Sequence, residues 1–96
     1  RVEADREYAC ARFARLIDRL SHLEERFLGR SVLVRSEIDN AVWLPSSVAR
    51  EVEFVHSHTV HHHALIAEKL ARCGIKITTD FGVAPSTLKH WARKAA

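Results

Sequence analysis

Two segments of this chain repeat apolar residues at steps of three and four, and a glycine follows each of them. In the first, from about Glu3 to Leu28, the residues Ala9, Phe13, Leu16, Ile17, Leu20, Leu23 and Phe27 share one face, with Arg, Asp and Glu between them and Gly29 beyond. The second runs from about Ser47 to Cys73, where Val48, Val52, Val55, Ile66, Leu70 and Cys73 mark one stripe, and it stops at Gly74. This period belongs to amphipathic helices, and glycine is the residue that accepts the left-handed backbone of a helix C-terminal cap. Two helices with one apolar stripe each cannot close a core alone. The pattern asks for further helices, from additional sequence or from a partner subunit.

Between the two segments the period changes. Val32, Leu33, Val34, Ile38, Val42, Trp43 and Leu44 are mostly β-branched or aromatic, and Asp39-Asn40 is a turn signal. A short hairpin or extended loop joining two helices is expected, ended by Pro45, with Ser46 or Ser47 capping the next helix. Ile75 to Thr79 reads as strand-like or irregular, and Ala84-Pro85-Ser86-Thr87 opens a short helix reaching about Ala92. The expected fold class is therefore all-α: two long helices, a hairpin-like connection and a short C-terminal helix in one domain over residues 1–96. The 47% hydrophobic and 28% charged content suits one small globular domain. No apolar run approaches the roughly 18 residues of a membrane span. The chain starts without Met, in residues that already read as helix (Arg1 to Arg6), and is expected to be a C-terminal fragment lacking an N-terminal helix or helices. A net charge of +3 is too small to argue for nucleic acid. Cys10 and Cys73 form no metal-finger spacing and read as buried free thiols of a reducing, cytoplasmic compartment.

Five of the seven histidines fall within eight residues: His56, His58, His61, His62 and His63. Imidazole is the commonest protein ligand for zinc and nickel. At about 100° per residue, His62 falls near the centre of the second apolar stripe and His58 about 40° away, whereas His61 and His63 sit at opposite margins and His56 lies toward the polar side. His58 and His62 are four residues apart, so one cation can be chelated by both without backbone strain. They are the expected metal ligands, with His61 next as a ligand or a cavity-lining group. The competing explanation is that inward histidines simply bond to neighbours in a core. Glu51 and Lys69 also project onto the stripe, Glu51 to orient a ligand or form an ion pair and Lys69 to snorkel. His22 lies off the first stripe and is expected to be solvated.

His58-Thr59-Val60-His61-His62-His63-Ala64-Leu65-Ile66 and Asp80-Phe81-Gly82-Val83-Ala84-Pro85-Ser86-Thr87-Leu88 together resemble the DinB-like superfamily. Val34 to Ile38 and Val42 to Ser47 resemble the connecting segment of its bacterial branch. The resemblance implies a four-helix bundle that binds a divalent metal, zinc or nickel, through three histidines. Two of these match His58 and His62. The third would come from an earlier helix, and no histidine before His56 matches it, since His22 is off the stripe. The family further implies a metal-dependent transferase or hydrolase chemistry that can use a low-molecular-weight thiol on a small-molecule substrate. A homodimer is the expected assembly, since a partner subunit could cover the open apolar stripes.

Two other classes compete with this reading. Phe81 to Trp91 has the apolar spacing of a helix-turn-helix, with Gly82 in the turn and Lys89, Arg93 and Lys94 facing phosphates, so residues 77–94 could form a DNA-binding module. Its first helix would be Gly74-Ile75-Lys76-Ile77-Thr78-Thr79, a poor helix former, and nucleic acid is not the expected partner. The third class is a non-catalytic helical dimerisation bundle. Phe81 and Trp91 are assigned to packing.

Overall fold

The computed structural model describes all of residues 1–96 and divides into two compact units, Arg1–Val48 and Ala49–Ala96. The element order is α1 (Arg6–Ser21), a 3-10 turn (Glu25–Phe27), β1 (Ser31–Arg35), β2 (Trp43–Ser47), α2 (Val48–Arg72) and α3 (Pro85–Ala95).

In the first unit, α1 is shorter than its periodicity suggests, for reasons visible at both ends. Asp5 is the N-cap, and its carboxylate accepts from the Tyr8 N–H at 2.9 Å. At the other end the Asp18 carbonyl, which a continuing helix would give to the His22 N–H, accepts from Ser21 Oγ at 2.7 Å and lies 2.7 Å from His22 Nδ1. A carbonyl can only accept, so this contact requires the Nδ1–H form of His22. His22 is thus the exposed C-cap of α1, and its ring helps satisfy a carbonyl the helix end leaves free, consistent with its place off the stripe.

β1 and β2 pair antiparallel with Ser31 opposite Ser47 and Arg35 opposite Trp43. The Arg35 guanidinium lies 4.9 Å from the Trp43 ring centroid, a cation–π contact across the hairpin mouth. In the loop, Ser36 Oγ accepts from the Ile38 and Asp39 N–H groups and Asp39 Oδ1 accepts from Ala41 N–H. Pro45 stands opposite Leu33, where a two-stranded sheet leaves an open edge for its missing donor. The sheet overturns the all-α expectation and, with it, the four-helix bundle: the chain has three α-helices and a two-stranded antiparallel sheet, a mixed α and β structure. The β-branched and aromatic run between the helices pairs with itself in register and so becomes a sheet.

In the second unit, α2 ends as the sequence expects. Gly74 has φ +73°, its N–H bonds to the Ala71 carbonyl at 3.0 Å, and the Ile75 N–H reaches the Leu70 carbonyl at 2.9 Å. These two bonds form a Schellman cap around a left-handed residue. Gly74→Ala should destabilise the chain by about 1–2 kcal/mol in chemical denaturation, the cost of a Cβ in that conformation. Ile75 to Thr78 have no regular structure, and α3 begins with Pro85 in its first turn.

No residue is fully buried. The chain exposes 8794 Å². A folded 10.9 kDa monomer would expose about 5,600 Å². Two separately folded halves would together expose about 6,700 Å². Surface normally removed by a core remains open, notably on α1, where Phe13 is 61% and Ile17 65% exposed. Cys10 and Cys73 are both exposed free thiols, not the buried ones expected. No helix is long and apolar enough to cross a membrane.

Candidate metal-binding face of the second helix

α2 carries all five clustered histidines, and the structure distributes them over three environments. His58 and His62 stand one turn apart with their Nε2 atoms 3.0 Å from each other and ring centroids 4.6 Å apart. With metal–nitrogen bonds of about 2.05 Å, that separation corresponds to an N–metal–N angle of about 94°. This is close to a right angle and within a small ring rotation of tetrahedral. The two rings therefore fit a bidentate chelate. Without a cation the same distance is a hydrogen bond, with one ring donating Nε2–H and the other accepting at Nε2. Metal binding at both Nε2 atoms places both ring protons on Nδ1.

Phe54 stacks on His58 with centroids 5.7 Å apart, limiting the ring on its N-terminal side. Thr59 Oγ1 donates to the Val55 carbonyl at 2.8 Å and leaves the histidine face clear. His61 has its ring centroid 5.9 Å from that of His62, edge-on to it, and 6.4 Å from that of His58. No group of three His, Cys, Asp or Glu side chains is assembled in the chain. The donor set is thus half of a four-coordinate sphere.

The inward placement of His58 and His62 is not what this chain shows, since both are exposed. The covered arc of α2 is instead Val60, His63, Ala67 and Leu70. His63, expected at a margin, stacks on Phe81 with centroids 4.6 Å apart and planes 18° from parallel. Next to it Gly82, at φ +75°, approaches the α2 backbone so closely that a Cβ there would lie 2.6 Å from the Ala64 nitrogen. Helical phase identifies the most apolar arc, whereas the tail docks where alanines let backbones meet.

His61 and His56 line a groove with Glu53, Ser57, Gly82 and Pro85, of about 510 Å³. That volume is within the range of small-molecule sites. Neither periodicity nor spacing marks this groove, because its far wall comes from the irregular tail. The DNA-binding alternative finds α3, with Lys89, Arg93 and Lys94 exposed, but no helix between Gly74 and Gly82. The two-helix unit that would seat α3 in a groove of DNA is absent.

No family model matches the chain, and no solved structure matches it. A stretch of 45 residues, 47% of the chain, is 40% identical to part of FK506-binding protein 5 of Rhizopus delemar. The chain spans 12% of that relative's length, so the likeness carries no family, fold or residue role across.

Proposed function

We propose that this chain is a divalent-metal-binding protein of the DinB-like kind, in which His58 and His62 supply two imidazole ligands to a zinc or nickel ion. The observation that carries this reading is the convergence of the two Nε2 atoms to 3.0 Å on an exposed helix face. The remaining coordination positions are filled from outside this chain's own side chains. Metal held by few protein ligands keeps open positions, where it would lower the pKa of a bound thiol and hold it as thiolate. The groove lined by His56 and His61 would take the small-molecule substrate or the thiol, His61 standing between groove and chelate. A reducing, cytoplasmic setting suits the two unpaired, exposed cysteines.

Calorimetric titration of the chain with zinc and with nickel tests the reading. Saturable binding that disappears in His58→Ala and His62→Ala but survives unchanged in His61→Ala is the expected result. Equal binding by all four proteins would refute the assignment.

A further inference from the structure

We infer that the second unit carries a binding site for a small monocarboxylate with an apolar body, in a hollow beside the C-terminal end of α2. The site is independent of the histidine pair and follows from how the chain leaves the helix. Gly74 turns the chain back, with the Ile75 N–H bonded to the Leu70 carbonyl at 2.9 Å. Gly82 then seats it against the backbone of His63 and Ala64. Between these two fixed points the segment makes one turn of its own, Phe81 N–H to the Thr78 carbonyl at 3.3 Å. What remains is a hollow of about 510 Å³, lined by Leu70, Lys76, Ile77, Thr78 and Phe81. That volume suits a small molecule.

The lining selects the ligand. Leu70 and Phe81 are half-buried, and with Ile77 they offer apolar surface to an uncharged body. The His63 ring stacked on Phe81 holds that side of the hollow in place. The polar groups are mainly donors. Lys76 is the one charged residue of the lining; it is exposed and forms no ion pair. Thr78 adds a hydroxyl, and the backbone N–H groups of Lys76, Ile77 and Thr78 find no acceptor within the chain. One effect opposes an anion here, the negative end of the α2 dipole. It is blunted, because the Leu70 and Ala71 carbonyls already accept from the Ile75 and Gly74 N–H groups, and Lys69 adds positive charge in the same turn. An amine would meet Lys76 with no carboxylate to receive it. A single ammonium beside three apolar side chains matches a singly charged head on an apolar body, and a carboxylate is that head.

Titration of the full chain with phenylbutyrate, phenylbutyramide and phenylbutylamine, followed by amide and aromatic NMR shifts, tests the site. Saturable shifts at Leu70, residues 76–78 and the Phe81 ring are the expected result. The acid should bind roughly fivefold tighter than the amide, the worth of one exposed ion pair, and the amine should bind weakest. Lys76→Gln should bring the acid down to the affinity of the amide and leave the amide unchanged, while Lys76→Glu should make the amine the preferred ligand. Ile77→Ala should weaken acid and amide alike. Both side chains are exposed in irregular chain, so these changes leave the helices intact. Equal binding of acid and amide, a preference for acid that survives Lys76→Gln, or no saturable shift at these residues would overturn the site. The chelate is read by zinc at other residues, so neither result decides the other.

Discussion

Replacing Gly82 with alanine should detach the C-terminal tail from α2, at a cost of roughly 2–4 kcal/mol to the second unit. Two effects add at this position. The residue sits at φ +75°, which an L side chain resists, and its Cβ would lie 2.6–2.8 Å from backbone atoms of His63 and Ala64. Backbone cannot move aside as a flexible side chain would, so the tail must lift. Lifting it breaks the His63–Phe81 stack and opens the groove that His56 and His61 line. Hydrogen exchange checks this: amides from Phe81 through α3 should lose protection in Gly82→Ala, while those in the last turn of α2, held by the Gly74 cap, keep theirs. Unchanged protection in α3 would mean that the close approach does not hold the tail.

The second large effect concerns the chelate. His58→Ala or His62→Ala should weaken zinc binding by more than the roughly 10–100-fold that loss of an outer-shell partner costs. Each removes one of only two protein nitrogens and leaves the other as a single exposed imidazole. The helix should tolerate either change, because both side chains are exposed and alanine is the better helix former. Circular dichroism unchanged beside lost metal affinity separates ligand loss from unfolding.

What the sequence made legible follows from which forces are local. The stop of α2 at Gly74 was readable because a left-handed cap depends on one residue and its neighbours. The hairpin between Arg30 and Ser47 was readable from β-branched content, although its weight in the fold class was not, and an all-α bundle gave way to a mixed structure. Apolar spacing continues past Ser21 although α1 stops there, with the Ser21 and His22 side chains bonded to the Asp18 carbonyl.

The histidine face shows the same division. That His58 and His62 share a side of α2 follows from helix geometry, and the 3.0 Å approach of their nitrogens is its consequence. That they are exposed and His63 covered could not be read from apolar phase, because docking of the tail depends on Gly82 meeting the small Ala64. The groove was hidden for the same reason: one wall is a helix face, the other an irregular segment with no period. Phase alone reports where a partner is wanted, not which element supplies it.

Whether His58 and His62 form a metal-binding pair is read from the imidazole nitrogens of all seven histidines, followed by nitrogen NMR during a zinc titration. Large shifts are expected at Nε2 of His58 and His62 only, with His22, His56, His61, His63 and His90 left in place. Shifts centred on His56 and His61, or none at any histidine, would contradict it.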